Sequence, residues 1–145
     1  MITEKQCLAK FGEPNARSPW LKLWDVPADL EIGVIPKQLY CNILIVDMLQ
    51  MAFINMIERG YAESELLAFD GCFNIRRMKR KVPTENDPWS LHSWGLPIDI
   101  NAFENQYGAK PIMSPGLVQC WTDAGWEWGG KWKIPDGMHM QPKNI

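Results

Sequence analysis

The sequence predicts an α+β fold, a small antiparallel sheet with helices packed on it. Three observations carry this. From Lys37 to Arg59, apolar residues fall at Leu39, Ile43, Val46, Leu49, Phe53, Met56 and Ile57, close to helical spacing. Short segments of strand character recur around Glu65–Arg77, Gly95–Ile100 and Met138–Met140, with loops rich in Pro, Gly and Asn between them. The chain has 145 residues, 46% of them hydrophobic. That suits one domain over 1–145 with its own core and argues against a separate anchoring module.

Each element follows from local chemistry. Thr3–Phe11 reads as a short helix capped by Thr3, with Leu8 and Phe11 on its apolar side and Gly12 and Pro14 ending it. Residues 1–36 thus form an N-terminal helix and an extended arm, with strand pieces at Trp20–Trp24 and Leu30–Ile35. Lys37–Arg59 is the central core helix, stopped by Gly60. Met78–Trp89 is a charged loop. Ser114 is an N-cap with Pro115 at the first helical position, and that helix runs to about Asp123 before Gly125.

The charge balance excludes some classes. Net charge is −2 with a pI near 5.7, so no sequence-wide basic excess points to nucleic acid. The most apolar stretch, Ile43–Ile57, is interrupted by Asp47, Gln50 and Asn55 and is short for a membrane span. The first six residues are too polar for a signal peptide, so synthesis in the cytoplasm is expected. Cys7, Cys41, Cys72 and Cys120 stand at least 31 positions apart among apolar neighbours and read as buried, reduced thiols.

Histidine is scarce and tryptophan is abundant. Only His92 and His139 can supply imidazole. His92 stands at the mouth of the Gly95–Ile100 strand, seven positions before Asp99. Asp136 precedes His139 by three, with Pro135 and Gly137 shaping the turn. Two imidazoles and two carboxylates suffice for a catalytic zinc site with three protein ligands, an open position and a general base. The competing reading is two hydrogen-bonded His–Asp pairs without a metal.

Ser90-x-His92-x-x-Gly95-x-x-x-Asp99 resembles the Ser-x-His-x-x-Gly-x-Ala-x-Asp motif of the M15 peptidases. Asp136-x-x-His139 resembles that family's second element, and Gly125-Trp126-Glu127-Trp128-Gly129-Gly130-Lys131-Trp132 is similar to a stretch of its phage-type branch. Phe73-Asn74-Ile75-Arg76 resembles the segment that carries a substrate-binding arginine. The matches keep the family order from Phe73 to Met140, while the N-terminal part matches only loosely. One departure is Pro97 where the family has Ala; a proline there implies a strand that is at an edge or bulged.

The resemblance implies one zinc ion held by His92, Asp99 and His139 at the sheet, with Asp136 as the base. It also implies substrate contacts from Arg76, Ser90 and Trp128. Both histidines are then ligands, so the base must be a carboxylate. Arg77 rivals Arg76, because a one-residue slip turns the neighbour inward. The tryptophans, six of eight between Trp89 and Trp132, serve as core and as cleft wall. The run Arg76–Lys81, five cations in six residues, is either a lure to an anionic cell wall or a solvated loop. The implied activity is hydrolysis of the peptidoglycan stem peptide, with L-alanyl-D-glutamate cleavage favoured and D-alanyl-D-alanine carboxypeptidase activity the alternative. A virion module that keeps the fold for binding is a third reading. The implied setting is phage or prophage, with no wall-binding domain of its own, action on the wall after release or virion delivery, and phage tail proteins as partners.

Overall fold

The computed structural model describes residues 1–80 and 82–145; Lys81, the last cation of the basic run, lies outside the described residues. Helix α1 spans Glu4–Phe11. Thr3 caps it in a reciprocal box with Gln6, and Gly12 closes it at φ +76°.

Strands β1 (Leu21–Asp25) and β2 (Gln38–Asn42) form an antiparallel ribbon with Leu21 opposite Asn42. Between them Ala28–Leu30 is a 3-10 turn rather than part of a strand over 30–35. Gly33 in the left-handed region brings that stretch against Ala62, where a Cβ would lie 2.9 Å from a backbone oxygen.

The central helix α2 runs Val46–Glu58, nine residues shorter at its start than the apolar spacing from Lys37 implies. Pairing with β1 takes residues 38–42 into a strand instead. Asn42 then turns the chain. Its backbone N–H donates to Gly95, its side-chain amide donates to Trp94, and its side-chain oxygen accepts from Leu44 at 3.0 Å. Arg59 and Gly60 end α2 as expected, and α3 is the single turn Tyr61–Ser64.

The second sheet has four strands: β3 (Phe69–Gly71), β4 (Ile98–Ile100), β5 (Trp126–Trp128) and β6 (His139–Pro142). Their order is β3-β4-β6-β5 and every pairing is antiparallel. The expected long strand over 65–77 is only three residues long. Its N-terminal flank instead bonds to Asn101, whose side-chain oxygen accepts from Leu67 and Ala68. Asn101 sits in the left-handed region at φ +49°, which Asn tolerates better than most residues.

Pro97 places β4 neither at an edge nor in a bulge. β4 is an interior strand that begins at Ile98, so the proline precedes the ladder and removes no bond from it; the register shift lies across from it, between Phe69 and Gly71 of β3. Helix α4 (Pro115–Thr122) follows the expected Ser114 cap and Pro start. The core joins α2, α4 and the four-stranded sheet through Phe53, Trp121, Trp126, Leu96, Ile98 and Met140, all fully buried. The four cysteines are buried free thiols. No helix among the described residues is long and apolar enough to cross a membrane.

Candidate metal centre

Antiparallel pairing of β4 with β6 sets Asp99 opposite His139. His92 reaches them from a 3-10 helix, Leu91–Trp94, just before β4. Ser90 caps that turn by accepting from the His92 N–H, and Gly95 ends it at φ +66°. A side chain at Gly95 would meet Asn42 and Leu21 at 3.0 and 2.8 Å, so the motif glycine is required both by conformation and by space.

The three side chains converge. His92 Nε2 is 3.1 Å from Asp99 Oδ2, and His139 Nδ1 is 3.4 Å from Asp99 Oδ1. One donor atom from each residue lies within 4.8 Å of the others. The two imidazoles are buried and meet edge to face at 5.2 Å.

The orientation of His92 is set from behind. Its Nδ1 lies 2.6 Å from the Cys72 carbonyl, which can only accept. Nδ1 therefore carries the hydrogen and Nε2 turns a lone pair toward Asp99. Although close to that carboxylate, Nε2 makes no hydrogen bond, and neither does Asp99 Oδ1. Buried acceptors facing one another without a proton between them are costly, and a bound cation removes the cost. Two imidazoles and one carboxylate fit zinc with a position left open.

The local electrostatics agree. Burial works against a charge on Asp99, but His139 and His92 outweigh it and hold the carboxyl below the usual range. Burial likewise opposes the His139 imidazolium, but Asp99 and Asp136 overcome it and raise its pKa. A pocket that draws a proton also draws a metal ion, and the two compete. Asp136 behaves oppositely: burial, helped by Asp99, pushes its carboxyl above the ordinary value, against the pull of His139. Its Oδ2 lies 3.8 Å from His139 Nδ1, and its Oδ1 is buried without a partner.

Gly129 positions Asp136. The Asp136 N–H donates to the Gly129 carbonyl at 2.9 Å, and a Cβ on Gly129 would stand 2.7 Å from the Asp136 carbonyl oxygen. The tryptophan-glycine stretch is thus needed locally for backbone approach.

The triad and Asp136 open into a cavity of about 670 Å³, also lined by Arg76, Ser90 and Trp132. Arg76 rather than Arg77 faces it. The backbone of Arg76 is clamped by Ser90 and Ser93, while the Arg77 guanidinium stacks 3.5 Å over Trp89 and donates to Asp87. Arg80 pairs with Asp87 at 3.2 Å and Lys79 lines the cavity, so the described cations of the basic run divide among different tasks. Trp128 does not line the cavity. Its indole donates to Gly137 and its ring covers Gly130, whereas Trp132 stands 5.3 Å from the His139 ring. The spacing of the motif could not separate the two indoles, because only the 3-10 turn Gly129–Lys131 sends one outward.

Sequence reasoning also missed the wall formed by Met1–Lys5, which closes one side of the cavity. Glu4 holds it there by accepting from the Trp89 backbone N–H. It missed Gln141 and Glu127 behind His139 as well. For Gln141 a signal existed: two residues apart on a strand means one shared face.

A buried His2Asp cluster that opens onto a cavity, with a further carboxylate beside it, has the donor set of a hydrolytic metal centre. Residues 84–142, less than half of the chain, match a protein-family model described as D-alanyl-D-alanine carboxypeptidase, a likeness that supports an M15-type peptidase. The matched segment holds Ser90, the three cluster residues and Asp136, but not Arg76 or the N-terminal wall. No curated protein and no solved structure matches the chain significantly.

Proposed function

We propose that this chain is a zinc-dependent peptidase that cleaves the stem peptide of peptidoglycan, with one zinc ion held by His92, Asp99 and His139. The observation that carries the reading is that His92 Nε2 and Asp99 Oδ1 are buried without hydrogen-bond partners in one cluster beneath the cavity, Nε2 facing Asp99 Oδ2 at 3.1 Å and Oδ1 facing His139 Nδ1 at 3.4 Å. A zinc ion there supplies Lewis acidity and brings the pKa of water to roughly 7.

The chain's own groups do the rest. Asp136 is the base: its raised pKa and free Oδ1 suit it to take a proton from the attacking water and return it to the leaving amine. Arg76 offers a guanidinium to a substrate carboxylate or to the developing oxyanion. Ser90 holds the His92 turn and lines the cavity at its foot. Trp132 lines the cavity, and its indole N–H is buried without a partner.

Two bonds compete. The Gly-Trp-x-Trp-Gly-Gly stretch favours an L-alanyl-D-glutamate endopeptidase of phage or prophage origin. The description of the matching family favours a D-alanyl-D-alanine carboxypeptidase, and Arg76 in the cavity suits a terminal carboxylate. Mass analysis of digested muropeptides tests both at once. Loss of the terminal D-alanine marks the carboxypeptidase, and release of the stem from L-alanine marks the endopeptidase. Unchanged muropeptides in the presence of zinc refute the proposed function.

A further inference from the structure

His139 has two ring nitrogens, and the one free to bind a metal is decided by what holds the other. Nε2 lies 3.0 Å from Gln141 Oε1. The far end of the amide fixes its orientation, since Gln141 Nε2 donates to Glu127 Oε1 at 3.3 Å and a carboxylate can only accept. The amide oxygen therefore faces His139 and accepts from Nε2–H, which leaves the Nδ1 lone pair on the side of Asp99.

We propose that Gln141, oriented by Glu127, is a positioning residue that fixes His139 as its Nε2–H tautomer and so makes Nδ1 the metal donor; this rests on the zinc-site reading above. The chain of contacts crosses three neighbouring strands. Asp99 on β4 faces His139 on β6, Gln141 shares the face of His139, and Glu127 on β5 stands opposite Gln141 in register. Gln141 is only 2% exposed, so water does not compete for its amide. His92 obtains the same service from a backbone carbonyl. Only the His139 half of the site is therefore set by side chains, and only there can substitution alter the tautomer.

The test uses the full chain and two readouts. Nitrogen-15 NMR of the histidines in the zinc-free protein at pH 8 reads the His139 tautomer directly. The proposal expects the proton on Nε2 in wild type and a mixture of tautomers in Gln141→Leu. Zinc affinity, measured by competition with a chromophoric chelator, should fall about 10–100-fold in Gln141→Leu. It should return in the double variant Gln141→Glu with Glu127→Gln, in which the amide donates to a carboxylate that still accepts from His139. A wild-type proton on Nδ1 overturns the proposal, as does zinc affinity in Gln141→Leu equal to wild type. If Gln141→Leu does not fold, the wild-type spectrum still decides. Wild-type protein with the expected tautomer but no zinc binding refutes the metal-site reading and leaves the role of Gln141 standing.

Discussion

Replacing Asp136 by Asn isolates the proton-transfer step. The change keeps the shape of the side chain and the backbone bond to Gly129, and it removes only the basicity. No neighbour can substitute. The His92 and His139 lone pairs and Asp99 point into the cluster, and the Glu4 carboxylate is taken by the Trp89 N–H. The full effect of a general base is therefore exposed, a fall in kcat of about 10²–10⁴-fold, or about 3–5 kcal/mol of barrier. Zinc affinity should stay near that of wild type, because Asp136 lies outside the three-residue cluster. Thermal stability should hold or rise slightly, since burial already disfavours the charge on this carboxyl. The assay is release of stem-peptide fragments at saturating substrate, with bound zinc measured on the same sample. Cleavage within threefold of wild type by zinc-loaded Asp136→Asn would refute the reasoning.

Three further outcomes are expected. Gly129→Ala should cost about 1–3 kcal/mol in chemical denaturation and slow cleavage, because its Cβ would press on Asp136 and Trp132; an unchanged rate would show that Gly129 does not position Asp136. Arg76→Ala should lower kcat/KM about 10–100-fold, the loss of a charged hydrogen bond to substrate, whereas Arg77→Ala should leave it unchanged and lower only the melting temperature. With a chelator present, stability should peak at mildly acidic pH. Asp99 is held below its ordinary 3.8, so its contribution is present above that pH and lost as acid titrates it. His139 is held above its ordinary 6.5, so its contribution is present below that pH and lost as pH rises through the raised value; the raised Asp136 likewise favours the fold only while protonated, and its contribution is lost as pH rises from its ordinary 3.8 through its raised value. Saturating zinc should reverse the alkaline fall, because the metal takes the deprotonated ligands. A melting temperature that ignores pH in chelator would contradict this.

The cluster residues were legible because they sit in two short segments whose spacing is dictated by local backbone. A capped turn with a left-handed glycine carries His92 toward Asp99, and an Asp-x-x-His turn leads into a strand. The caps of α1 and α4 were legible for the same reason. What the sequence hid depends on pairing at long range. Residues 38–42 follow the helical pattern of α2 yet join β1, and β5 was not anticipated as an edge strand at all. Pro97 suggested an edge because a proline costs a ladder bond, but the strand simply starts one residue later. The choice of Trp132 over Trp128, and of Arg76 over Arg77, turns on which side of a short loop each side chain leaves, and no periodicity encodes that.

The most direct test is zinc stoichiometry tied to activity. The chain as purified with zinc should hold one ion per molecule. It should lose the ion and stem-peptide cleavage together on chelation, and regain both when zinc is returned. Asp99→Ala should prevent the recovery, because it removes the carboxylate that both imidazoles face. Full cleavage by zinc-free protein, or stoichiometric zinc retained by Asp99→Ala with undiminished affinity, would contradict the account.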